Sequence, residues 1–169
     1  MSLRPVAESD AAYTTEIRQD SEKTKFLHAV DNDIEKQTAW IQRQRAAAGD
    51  YFFIAGTPDG EDVGTVGVYD IEGKKGCLGR LLMTGNPFQT FEATLLAMEF
   101  AYDTLGLSEL YGDVVEGNSA SYNLSEAFGF HFEEPVYSEE LKANLSHCVS
   151  YGAEFEKYAA KIRELIYRE

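Results

Sequence analysis

Few residues in this sequence combine the type and spacing that chemistry needs. Glu116 follows Val114-Val115 at the end of a β-rich run. A carboxylate there serves as a general base when its surroundings raise its pKa. Asp70 and Glu72 end an earlier run and offer the same chemistry. Asn118 stands just ahead of a helical segment, as a cap or as a ligand contact, and Ser121 and Ser125 lie within that segment. The stretch from Cys77 to Leu105 reads as strand, loop and helix. A helix N-terminus that follows a strand is a ready site for an anion. Arg80 in that strand is either a cation for the site or one half of a salt bridge, and Trp40 and Tyr51-Phe52-Phe53 read as core. The three histidines and two cysteines show no metal-ligand spacing, so no metal site is expected.

Charge narrows the partners. The 169 residues carry 15 basic and 29 acidic side chains, a net charge of −14. Residues 46–135 hold 15 acidic and 3 basic groups, so −12 of it lies there, and no Lys or Arg occurs between Arg80 and Lys142. A surface this acidic argues against nucleic acid and anionic membranes, which need basic partners. The same field suits a cationic, amine-bearing substrate. No apolar run approaches the roughly 18 residues of a membrane span. The first ten residues carry Arg4, Glu8 and Asp10, unlike a signal peptide. A cytoplasmic protein with reduced cysteines is expected.

The elements that must position these residues follow from periodicity. Leu3–Val6 reads as a first strand. Ser9 or Asp10 caps a helix bearing Tyr13 and Ile17, and Asp33 caps a second one through Gln44. Three β-rich runs then follow, 51–55, 63–71 and 77–83, separated by the turns Thr57–Gly60 and Glu72–Gly76. They predict an antiparallel meander. After the breaker Thr84-Gly-Asn-Pro87, apolar residues from Phe91 to Leu105 recur at helical spacing, and Gly106 ends that helix. A strand over 110–115, a helix over 119–128, a strand from Phe130, a weaker strand near 146–151 and a C-terminal amphipathic helix complete the order. With no linker or repeat, residues 1–169 read as a single α+β domain with a mixed, mostly antiparallel sheet flanked by helices.

In this order the segments resemble the GNAT N-acetyltransferases. The resemblance runs from Leu3 to about Tyr158. It is carried by Leu3-Arg-Pro5, Asp62–Asp70, Gly79–Met83, Glu92–Leu96 with Phe100–Leu107, and Asn118-Ser-Ala-Ser121 set eleven residues before Gly129-Phe130. Within the family the chain is most similar to the branch of ribosomal-protein, spermidine and amino-sugar-nucleotide acetyltransferases. The resemblance implies that acetyl-CoA lies where two parallel strands splay apart. Its pantetheine arm would bond the backbone at Leu82 and Met83. Its pyrophosphate would meet Gly85, Asn86, Phe88, Gln89, Thr90 and Phe91, with Asn118 and Ser121 across the cleft. A primary amine of a small molecule or peptide would attack the thioester, with Glu116 as base. Arg18 also resembles a family position, and a homodimer is an open expectation.

The chain departs from the family's pattern at three places. Its phosphate loop normally reads Arg/Gln-x-x-Gly-x-Gly/Ala, and Gly85, Phe88 and Thr90 occupy those positions here. Side chains at Phe88 and Thr90 are expected to crowd the phosphates. Ser125 stands where many members place a Tyr near the departing thiolate. Eleven acidic residues and no cation fall within 81–141, around the expected site of a polyanionic donor. These departures motivate a second reading, a GNAT-fold binding or regulatory protein that has lost ordinary acetyl-CoA binding. A third is an α+β domain that shares only the element order.

Overall fold

The computed structural model describes residues 1–167. β1 (Ser2–Pro5) leads through a 3-10 turn into α1 (Ala11–Ile17). Arg4 fixes that corner by forking onto Asp10 at 2.8 and 2.9 Å. The short α2 (Ser21–Thr24) is capped by Asp20, and α3 (Ile34–Ala46) by Asp33, whose carboxylate accepts the Lys36 N–H. β2 (Tyr51–Gly56), β3 (Asp62–Glu72) and β4 (Lys75–Met83) form the expected meander. Then come α4 (Pro87–Glu99), β5 (Glu109–Val115), α5 (Ser119–Ala127), β6 (His131–Phe132), β7 (Val136–Ser138), β8 (Ala143–Tyr151) and α6 (Gly152–Ile166).

All eight strands form one sheet, ordered β1-β2-β3-β4-β5-β8-β6, with β7 also on β8. Leu95, Met98, Phe128, Phe155 and Ile162 pack α4, α5 and α6 into the larger core. Val6, Ile41, Phe52 and Ile54 join α1 and α3 to the sheet in a second cluster, with Trp40 against it. Burying each such side chain contributes about 2 kcal/mol. Three details depart from the sequence reading. The helix expected to reach Leu105 is α-helical only to Glu99. Its last turn widens, and the Leu105 N–H donates to the Phe100 carbonyl five residues back. The weak final strand is nine residues long, and neither α2 nor β7 was expected.

One seam in this sheet matters for function. β4 and β5 are its parallel neighbours, and only Lys75, Gly76 and Cys77 pair with Glu109, Leu110 and Tyr111. Beyond Cys77 the two strands separate. The cause lies on the other side of β4. Thr65 opposes Leu82 and Gly67 opposes Gly79, so Arg80 and Leu81 together face Val66. Such a bulge bends its strand and sharpens the local twist. Arg80 adopts φ +53°, a left-handed conformation that costs a side-chain-bearing residue roughly 1–2 kcal/mol. Its ion pair with Asp50 offsets that strain. No helix among the described residues is long and apolar enough to cross a membrane.

Candidate active site

The seam opens on one side into a cleft of about 560 Å³. Leu81, Leu82 and Met83 form one wall, and Gly117 and Asn118 with α5 as far as Leu124 form the other. The start of α4 closes one end. Both helices begin on asparagine. Asn118 Oδ1 accepts the Ser121 N–H at 3.1 Å. Asn86 Oδ1 accepts the Gln89 N–H at 3.1 Å, and Gln89 Oε1 accepts the Asn86 N–H at 2.8 Å. This reciprocal cap uses two amides that a phosphate would otherwise meet. It also explains Gly85, because a Cβ there would lie 2.0 Å from Gln89 Oε1.

The sequence offers this cleft no cation beyond Arg80, and the structure corrects that: Arg80 does not line it, but two lysines do. Lys23 and Lys25, around the end of α2, line it together with Glu22, Phe26 and Leu27. Nothing in the local sequence marks this, because a four-residue helix shows no periodicity. The chain folds this segment over the gap between β4 and α5. The expectation about Phe88 is also corrected. Phe88 is 55% exposed and is not among the residues lining the cleft, whereas Thr90 and Phe91 are. Proline at the first helical position and the Asn86 cap set a helix start that turns residue 88 outward.

Beside the cleft, along the same seam, lies a slot of about 430 Å³. Leu81, Asn118, Ser121 and Leu124 line both spaces, so the two adjoin along the seam. Tyr69 and Cys77, paired across β3 and β4, lie along the slot. The Tyr69 hydroxyl occupies the space above Gly79, where a Cβ would be 2.4 Å away. The Arg80 guanidinium stacks on that ring at 3.9 Å from its centroid. Burial pushes both the Tyr69 phenol and the Cys77 thiol up from their ordinary values. Asp113 on β5 also lines the slot, and its Oδ1 lies 2.9 Å from His147 Nδ1 on β8.

Of the sequence candidates, the cleft gathers Leu82, Met83, Gly85, Thr90, Phe91, Asn118 and Ser121. Ser125 lines the slot near Cys148, whose thiol burial pushes up to about 12. Gln89 and Asn86 serve the cap. Glu116 is exposed at the end of β5, where its Oε2 accepts from Asn144 Nδ2 at 2.9 Å, and it lines neither space. The Asp113–His147 pair and the two lysines escaped the sequence reading. Only the β5–β8 register, in which Asp113 faces His147, would have revealed the first.

The site suits an extended ligand with an anionic end. The backbone of Leu81–Met83 is free of β5, and two capped helix starts and two lysines border the cleft. A family model described as an acetyltransferase (GNAT) domain matches residues 1–131. Apo FdhC, a nucleotide-linked sugar GNAT, superposes with a TM-score of 0.78 at 21% identity, over 99% of this chain and 94% of that one. Spermidine N-acetyltransferase from Vibrio cholerae, in complex with CoA and spermine, gives 0.82 at 12% identity, over 92% and 97%. A GCN5-related N-acetyltransferase from Brucella melitensis gives 0.80 at 14% identity, over 98% and 82%. At these identities the structural likeness establishes the fold. No curated protein sequence matches the chain.

Proposed function

The chain belongs to the GNAT acetyltransferase family, and on that premise we propose that it transfers an acetyl group from acetyl-CoA to a primary amine. The observation that carries this reading is the parting of β4 from β5 beyond three rungs, with the cleft and the slot opening along that seam and sharing Leu81, Asn118, Ser121 and Leu124. The cleft takes the donor. The free edge of Leu81–Met83 bonds the pantetheine arm, and Lys23 and Lys25 face the phosphates. The slot takes the amine.

A neutral amine needs little covalent help. Its lone pair attacks the thioester carbonyl, the C–N bond forms, and the C–S bond breaks with its electrons on sulfur. Positioning supplies most of the rate. In this reading Ser125, which lines the slot, protonates the departing thiolate. Because a thiol pKa near roughly 8.5 makes that demand small, a hydroxyl or water suffices. Asp113 in β5 and Glu116 just past its end are the proposed bases. Asp113 lines the slot with His147 behind it. Glu116 acts through water from the strand end. Comparing Asp113→Asn with Glu116→Gln separates them. The variant lacking the base loses rate at neutral pH and recovers above about pH 9, where the free amine deprotonates unaided.

The deciding experiment is calorimetric titration of acetyl-CoA and CoA, followed by thiol release across a panel of sugar, polyamine and peptide amines. The reading expects saturable binding and turnover of at least one amine. Absence of binding at millimolar donor would reject it and favour a binding or regulatory protein of the same fold. The reciprocal α4 cap, which uses two N-terminal amides, is the observation favouring that second reading.

A further inference from the structure

A third cavity, of about 290 Å³, lies between α1, α3 and the inner strands of the sheet. Arg18, Gln37, Trp40 and Arg80 are among its walls, and no carboxylate lines it. That is notable in a chain with 29 acidic side chains against 15 basic ones. The two arginines differ. Arg80 spends its fork on Asp50. Arg18 is half-buried, and among the described residues its one hydrogen bond goes from Nη2 to the His28 carbonyl at 2.5 Å, with no carboxylate in ion-pair reach. Burial lowers the pKa of this guanidinium. A half-buried cation without a counter-charge is costly, and its planar fork matches a carboxylate or phosphate. Gln37 is oriented by its Nε2 donating to Thr14 Oγ1 at 3.0 Å, which directs its amide alongside.

We propose that this cavity is an anion subsite in which Arg18 holds an oxyanion of the amine acceptor, a carboxylate or a phosphate. The acceptor identity rests on the acetyltransferase reading, whereas the anion site itself does not. The cavity adjoins the slot at two points. Arg80 lines both, and the His28 that Arg18 holds also lines the slot. On this proposal, an acceptor with its amine in the slot extends past Arg80 into the cavity with its other end. This selects against polyamines, whose far end is a second cation, despite the acidity of the chain as a whole.

The test has two arms. In the first, inorganic phosphate and acetate are titrated separately into the whole protein, with backbone amide resonances followed by NMR in every variant and the Arg18 Nε–Hε resonance in the unsubstituted protein. Saturable shifts with one probe identify that oxyanion, and Arg18→Gln weakens it about tenfold, the loss of one charge-assisted contact. Arg18→Lys, which keeps the charge, recovers part of the affinity, and CoA titration of each variant checks the fold. No saturable shift with either probe, or equal affinity in Arg18→Gln, overturns the site. In the second arm, thiol release is compared for glucosamine 6-phosphate, glycine, glucosamine and spermidine. The proposal expects the anionic amines to be preferred and Arg18→Gln to abolish the preference; preference for spermidine overturns it. Arg18-dependent anion binding with no turnover of any amine upholds the subsite while rejecting the acetyltransferase reading.

Discussion

Asp50 grips Arg80 through both carboxylate oxygens while the same guanidinium lies flat on the Tyr69 ring. The pair bridges the start of β2 to the bulge that separates β4 from β5. Both side chains are about one-fifth exposed, at 21% and 23%. Asp50→Ala and Arg80→Ala are each expected to cost about 2 kcal/mol, because each strands a partly buried charge. The double variant should cost about 1 kcal/mol less than the sum. Urea unfolding of the four proteins checks this, and strict additivity would mean the pair is incidental.

The lysines of the donor cleft make a salt-dependent prediction. Lys23→Glu with Lys25→Glu should weaken CoA binding about tenfold at low ionic strength, and by much less near 1 M salt, where charges are screened within about 3 Å. Calorimetry at two salt concentrations is the measurement. Unchanged affinity in the double variant would remove α2 from the donor site.

Gly64 sits where β3 pairs with the end of β4, on the edge opposite the free one. Its φ is +153°, and a Cβ there would lie 2.6 Å from the Leu82 carbonyl oxygen and 2.9 Å from Met83 Cα. Backbone neighbours cannot swing aside as side chains do. Gly64→Ala should therefore destabilise the fold by about 3 kcal/mol and displace Leu82 and Met83. Thermal unfolding reads the first effect and CoA affinity the second.

Buried thiols predict an alkaline limit. Burial, with Asp113 adding to it, pushes Cys148 up to about 12, whereas an unfolded thiol ionises near roughly 8.5. The folded state thus holds this proton more tightly. Its contribution is intact below the unfolded pKa and is lost as pH rises from there toward the folded value. Denaturant midpoints should fall above about pH 8.5, and Cys148→Ala should flatten that fall. An identical slope in the variant would assign the loss to other groups.

Local signals carried most of the fold. The turns Thr57–Gly60 and Glu72–Gly76 punctuate the meander correctly, and Asp33 caps α3 as its position suggests. Arg80 forms the salt bridge that was one of its two expected fates. What stayed hidden depends on partners distant in sequence. Asp113 meets His147 only through the β5–β8 register. Lys25 reaches the cleft only because residues 20–28 fold across the gap between α5 and β4. The uncompensated Arg18 is invisible without knowing which carboxylates come near it. The phosphate loop is intermediate. Its departures were legible, but their resolution into a cap, with Gly85 making room for Gln89, was not.

The three-rung contact between β4 and β5 has a mechanical consequence. It divides the sheet into two ribbons, β1–β4 and β5–β8, joined by a short hinge and by the helices behind. A molecule bonded to the bare edge of Leu81–Met83 and to the first turn of α5 would stand in for the missing rungs. The donor would then act as a clasp as well as a reactant, stiffening the far ends of both ribbons, and the sheet would be complete only while it is working.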